Sequence, residues 1–313
     1  GDALPNVDVV TSRVRETGAA AAAWDRRAFF AMLTSTTKPI AFAPGSTDGL
    51  KGVIRMAEKV AGCEEDLSKE PFVVPYLDFG RSSEPAEDAV DQVKLSVKTG
   101  LPWIMGCRLS LIGEADAAAN TPAVAANALL LAMLTYAQSR QPGSPVIPGV
   151  ASDLGPRSRR LAMALTTLIH ERYRLPVWSS GGVSDSKLPD IQAGIETALS
   201  LSAAISCGAD LVLGSGSLES GAVGCFEMVV IADEVMGNLR QLETGGHERE
   251  VSLFDRSPRQ GWIESGRPNM IRSARDRAIE LIGSHESEAL TGGIAAELEA
   301  IVGSEDQEPN LEG

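Results

Sequence analysis

No apolar run in the sequence is long enough to span a bilayer, and no basic-then-apolar leader pattern opens it. Cysteine is sparse: Cys63, Cys107, Cys207 and Cys225 lie far apart, with no C-x-x-C pair. That spacing excludes a zinc ribbon or a disulfide framework and leads us to expect buried thiols in a reducing, cytoplasmic setting. The three histidines, His170, His247 and His285, share no metal-ligand spacing, so no metal site is expected. Positive charge is also short. With 28 Lys and Arg against 42 Asp and Glu, the net charge is −14. Such a chain repels phosphate backbones and anionic lipid, which sets nucleic acid and membrane surfaces aside as partners. A cationic small molecule or a basic protein patch is compatible with it.

What is present is an ordinary globular balance, 43% hydrophobic and 22% charged. At 313 residues one large α/β barrel or two ordinary domains would fit. Short β-rich runs recur at 7–10, 39–42, 72–76, 103–105, 146–148, 177–178 and 211–213. Several follow a proline (Pro39, Pro71, Pro102, Pro145, Pro176) that ends the preceding helix and sets the entry to the strand. Helical segments separate them. One runs from Thr121-Pro122 to Pro142-Gly143; another runs from Pro189 to Gly208, with Ile191, Ile195, Ala198, Leu199, Ser202 and Ile205 as its apolar side. Alternating strands and helices predict parallel strands with right-handed crossovers. Seven or eight such units favour a (β/α)8 TIM-type barrel over an open doubly wound sheet. The eighth unit is unassigned, so the barrel is expected to be incomplete in this chain. We take 1–303 as the barrel domain and the acidic, apolar-poor 304–313 as a disordered tail.

Two strands are followed by polar, glycine-rich turns: Ser179-Ser180-Gly181-Gly182-Val183-Ser184-Asp185-Ser186-Lys187, and Gly214-Ser215-Gly216-Ser217-Leu218-Glu219-Ser220-Gly221. Barrels place their chemistry at the C-terminal ends of strands, so the pair, with acids at Asp185 and Glu219, is expected to share one site. The plainer alternative is two tight turns whose glycines permit a positive φ. Asp233 and Glu234, in an otherwise apolar helix, read as a solvated end.

The runs Asp2-Ala3-Leu4-Pro5-Asn6-Val7-Asp8, Thr36-Thr37-Lys38-Pro39-Ile40, Gly182-Val183-Ser184-Asp185-Ser186-Lys187, Leu218-Glu219-Ser220-Gly221, Ala232-Asp233-Glu234, and Leu253-Phe254-Asp255-Arg256 with Gly261-Trp262 resemble, in this order, the trimethylamine methyltransferase family. No pyrrolysine is present, so the resemblance is to the non-pyrrolysine, glycine betaine methyltransferase-like branch, whose full-length members carry a further N-terminal region. It implies a (β/α)8 barrel of one-carbon metabolism. Such a barrel moves a methyl group from a quaternary or tertiary methylated amine to the cob(I)amide of a separate corrinoid protein. On that reading the chain binds no cofactor itself, and the corrinoid (cobalamin) is presented by the partner. The alternative is a paralogue that binds a methylated amine or a corrinoid protein without turnover.

For this chemistry the barrel must hold a cation in line with cobalt, and acids and aromatic faces do that. The resemblance therefore makes Asp185 and Glu219 the acids, with Tyr76, Trp103, Trp178 and Phe226 as candidate walls that could equally be plain core. Gly181, Gly182, Ser184, Lys187, Gly214, Gly216 and Ser217 become the corrinoid-facing positions, the glycines leaving room for the corrin face. No catalytic acid or base is assigned, since the departing amine is neutral. An unpaired strand edge would seek a partner, so a homo-oligomer is expected.

Overall fold

The computed structural model describes residues 10–11, 21–36, 38–79, 86–108, 146–151, 156–245, 252–286, 290 and 292–304. The chain divides into two compact units. In the first, strands β1 (Val10–Thr11), β2 (Ile40–Phe42), β3 (Val73–Phe79) and β4 (Trp103–Arg108) pair in parallel and in chain order. Helices α1 (Ala21–Leu33), α2 (Thr47–Ala61), α3 (Glu64–Lys69) and α4 (Ala86–Thr99) alternate with them. Helix α2 starts where Ser46 accepts the N–H of Gly49 at 3.0 Å, satisfying one of the unpaired donors of the first turn. It stops at Gly62, whose φ of +102° the chain needs to turn away. Between these caps Leu50, Val53, Ile54, Met56 and Ala57 are buried. They join Phe29, Ile40, Phe42 and Val73 in one apolar cluster, with the Phe29 and Phe42 rings edge-to-face at 5.5 Å.

The division between the units falls within β5 (Val146–Ala151), whose residues from Gly149 on belong to the second unit; there β5, β6 (Trp178–Ser180) and β7 (Leu211–Leu213) are again parallel in chain order. Helix α5 (Pro156–Thr167) runs on into a π-helical turn, Leu168–Tyr173, which ends at left-handed Arg174 (φ 54°). Helix α6 (Ile191–Ser206) links β6 to β7. A short antiparallel hairpin, β8 (Ser217–Leu218) and β9 (Val223–Gly224), leads into α7 (Phe226–Thr244). Helices α8 (Arg259–Glu264) and α9 (Met270–Ser284) follow, and α9 closes on α7 through Met228, Ile231, Ala274 and Ala278.

The parallel α/β class agrees with the sequence, and each expected strand run meets a strand. An eighth parallel strand is not found among the described residues, and the expected helix at 121–142 and the tail at 305–313 lie outside them. Among the described residues no helix is long and apolar enough to cross a membrane.

Three expectations are corrected. Helix α6 buries Ala193, Thr197, Ser200, Leu201 and Ala204, while Ile191, Ile195 and Leu199 of its apolar side face out. Asp233 and Glu234 are not a solvated end: both are buried in the body of α7. Glu234 Oε1 accepts hydrogen bonds from the Ser252 hydroxyl and, at 3.1 Å, from Asn238 Nδ2. Finally, Cys63 is exposed, its thiol donating to Asp66 Oδ2 at 3.1 Å.

Candidate functional site

The turns after β6 and β7 belong to the second unit and lie side by side. Gly181 N donates to Leu213 O at 3.0 Å, and Ser184 N to Ser217 O at 2.8 Å, with Val183 bridging Ser217 in parallel. The two strands, three residues each, thus continue their pairing through the loops. The hairpin then folds back on the first loop. Glu219 N donates to Ser186 O at 3.1 Å, Ser220 N donates to Ser184 O at 3.0 Å, and the Ser220 hydroxyl donates to Asp185 Oδ1. To make these contacts Glu219, Ser220 and Gly221 all take left-handed backbone (φ 50°, 56° and 95°). For two non-glycine residues that is a strained conformation, sustained by the bonds on either side.

A second lock comes from α6. Glu196 Oε2 accepts from the Ser184 hydroxyl at 2.7 Å and from Asp185 N at 2.8 Å. Burial works against this carboxylate. Even so, the bonds from Ser184, Asp185 N–H and Gln192, with the charge of Arg159, hold its pKa below the ordinary glutamate value. Asp190 caps the same helix, accepting from Ala193 N and from the Ser186 hydroxyl, each at 2.9 Å, and those bonds hold its carboxyl low as well. Lys187 is exposed and donates to Asp185 O at 2.8 Å. Neither Asp190 nor Glu196 stood out in the sequence, although an aspartate directly before an apolar helical run is an N-cap signal.

The glycines serve this clamp from within. A side chain at Gly182 (φ +73°) would come within 2.6 Å of Ser215 Oγ, and one at Gly181 within 2.6 Å of Val212 Cγ1. The space beside each is filled by the neighbouring strand and loop. The idea that these two glycines keep room for an approaching corrin ring is therefore replaced: they let β6 and β7 and their loops close on one another. Gly214 and Gly216 (φ 124° and 85°) make the bend of the second loop, and Ser217 is buried where the loops pair.

The remaining candidates are placed as follows. Position 181 faces Leu201 of α6, so by strand alternation Trp178 and Ser180 point to the opposite face of β6. There the Trp178 indole is fully buried against the backbone at Gly149. Asp185 is half-buried inside the clamp, whereas the Glu219 side chain is exposed at the hairpin tip and Phe226 is exposed at the start of α7. Tyr76 and Trp103 belong to the first unit. Tyr76 alternates with Val73, which packs on the helices, and so sits on the other face of β3, half-buried. Trp103 is buried at the start of β4, its indole N–H without a partner among the described residues.

This assembly of loops occurs in a chain whose residues 19–252 match the family described as Trimethylamine methyltransferase (MTTB). The chain belongs to the trimethylamine methyltransferase family. Among curated members of that family or its relatives, it is 24% identical to a trimethylamine methyltransferase of Desulfitobacterium hafniense, over 87% of this chain and 63% of that protein. It is 30% identical to a proline betaine:corrinoid methyltransferase of Eubacterium limosum, over 50% of this chain and 35% of that one. A glycine betaine methyltransferase of Desulfitobacterium hafniense is 35% identical over 36% of this chain and 26% of its own length. The chain thus spans about three-fifths of the trimethylamine methyltransferases it matches.

Proposed function

We propose that this chain carries the strand-end apparatus of an amine:corrinoid methyltransferase. The reaction it serves moves a methyl group from a quaternary or tertiary methylated amine to the cob(I)amide of a separate corrinoid protein. The observation that carries the reading is the double clamp on Asp185, set at the C-terminal ends of adjacent parallel strands in a member of this family. In such a transfer the cobalt lone pair takes the methyl carbon. The C–N bond breaks toward nitrogen, and a quaternary substrate leaves as a neutral amine, so no proton donor is required. What the protein must supply is a fixed anionic position and a dry, shaped approach. Asp185, held by Ser220 and by the loop that Glu196 pins, is the group we assign to the cationic nitrogen, with Glu219 as a second negative charge at the tip. The corrinoid is the partner's, and enters here as methyl acceptor. A (β/α)8 barrel in the cytoplasm is the architecture and setting that go with this reading.

The test is to incubate the chain with reduced corrinoid protein and a panel of tertiary and quaternary methylamines, including betaines, following cobalt methylation by its absorbance change. Methylation with one of the panel, lost in Asp185→Asn, is the expected result. Calorimetric binding of an amine without methylation would favour the non-catalytic binding role, and neither binding nor methylation would refute the assignment.

A further inference from the structure

Helices α5 and α6 and the end of β6 enclose a cleft within the second unit. It holds about 350 Å³, its open mouth included, and Ala162, Met163, Ala203 and Ala204 make apolar walls. Polar groups in it are few, and most are already used. Ser200 Oγ accepts from Gly182 N at 3.0 Å and donates to Glu196 O at 2.7 Å, while Gly181 N is taken by Leu213 O. Ser180 turns its side chain to the other face of β6. Two groups remain that can face a ligand. Ser179 lies on the helix side of β6 and lines the cleft; it is only 5% exposed, and its hydroxyl has no hydrogen-bond partner among the described residues. Arg159, half-buried, lines the same cleft. Its guanidinium carries five N–H donors, so it can serve a ligand beside any other acceptor it holds.

A hydroxyl at that depth is costly to leave unmatched, and an arginine beside it selects an anion. The class of anion follows from the donors. One guanidinium and one hydroxyl suit a carboxylate, which takes two parallel bonds from the guanidinium and a third from the serine. They are too few for a phosphate dianion, since the cleft adds no lysine and the N–H groups of Gly181 and Gly182 are spent. The alanine-rich walls suit a short alkyl end.

We infer that this cleft is a site for a small monocarboxylate, its carboxylate on Arg159 and the Ser179 hydroxyl and its alkyl end against Met163 and Ala203. Occupancy reaches the loop beyond it. The charge of Arg159 is among the influences that keep Glu196 ionised, and Glu196 pins Asp185 N. A carboxylate on Arg159 shares that charge, so an occupied cleft loosens the grip on the Asp185 loop, and a loosened loop favours the ligand in return. The site is that of an effector, separate from the position assigned to the amine.

Acetate is the probe, titrated into the full chain at constant ionic strength and followed by its NMR line width, with neither amine nor corrinoid protein present. Saturable binding is expected, with a dissociation constant on the order of 1 mM. In variants shown by thermal melts to be folded, Arg159→Gln should weaken it by more than about 10-fold and Ser179→Ala by about 5-fold or more. Ala203→Leu, which fills the cleft and touches no polar group, should abolish it. Inorganic phosphate should bind more weakly than acetate, and Asp185→Asn should bind acetate as the unaltered chain does. Saturating acetate should quicken hydrogen exchange at Asp185 N in the unaltered chain but not in Ser179→Ala. Binding that does not saturate, that survives Arg159→Gln or Ala203→Leu undiminished, or that favours phosphate would overturn the site. Loss of binding in Asp185→Asn would overturn it too, by placing the acetate at the strand-end loops. Unchanged exchange at Asp185 N would overturn the effector role.

Discussion

Helices α2 and α6 each follow a strand and have nearly the same length, yet they are held in opposite ways. Helix α2 turns Leu50, Val53, Ile54 and Met56 into the core and leaves Asp48 and Lys51 outside, paired at 2.7 Å. Helix α6 turns mostly small and hydroxylated side chains inward and is fixed instead by polar bonds at its first turns: Asp190 to the Ser186 hydroxyl and Ala193 N, and Glu196 to the loop after β6. The first helix is attached by burial and the second by directional bonds. A helix attached by directional bonds fixes the loop it grips, which is what a site at the strand ends needs.

The largest effect that would mark this contrast is Leu50→Ala. Removing a fully buried leucine from α2 should cost about 2–5 kcal/mol in chemical unfolding. The matching truncation on α6, Ile195→Ala, should stay within about 0.5 kcal/mol of the unaltered chain. Equal losses at the two positions would erase the distinction. Next in size is Gly182→Val. The left-handed backbone and the approach of Ser215 both oppose a side chain, so we expect a loss of about 2–3 kcal/mol, read as a lowered melting temperature.

A smaller effect is expected for Glu196→Gln, about 0.5–1.5 kcal/mol after allowance for its partial exposure, with faster hydrogen exchange at the amides of Asp185 and Ser186 as its particular mark. Its pH dependence has a definite sign. The folded-state pKa lies below the ordinary value of 4.5, so the contribution is complete above that pH and is lost as pH falls through the lowered value. Exchange at Asp185 N should therefore quicken in that acid window in the unaltered chain and lack that step in Glu196→Gln. Smallest is Ser220→Ala, about 0.5 kcal/mol at an exposed position, which should loosen the hairpin tip while leaving α2 untouched.

How much of this was legible in the sequence differs between the two helices. Proline at the entry of five of the seven strand runs and the alternation of strand and helix pointed to the parallel α/β order, and the glycine-serine turns marked the loops that meet. Periodicity shows that α6 has two faces but not which one is inside. The usual inference assigns the larger apolar residues to the core, and in α6 the smaller set is inward because the helix packs closely on β6 and α7. The buried pair Asp233 and Glu234 escaped for a related reason. Glu234 is satisfied in part by Ser252, eighteen residues on and in a different segment, and no local pattern announces such a partner. Glu196 was hidden in the same manner, its acceptor role fixed only when the loop folds back over it.

The left-handed run at Glu219, Ser220 and Gly221 has one more consequence. Proteases take their substrates as extended chain, and an exposed turn is ordinarily where they cut first. This turn is exposed but wound in the opposite sense and stitched to the loop beside it through Ser220 N and Glu219 N. To be threaded into a cleavage site it must first give up those bonds. The hairpin tip stays in reach of solvent and ligands while being a poor place to nick the chain.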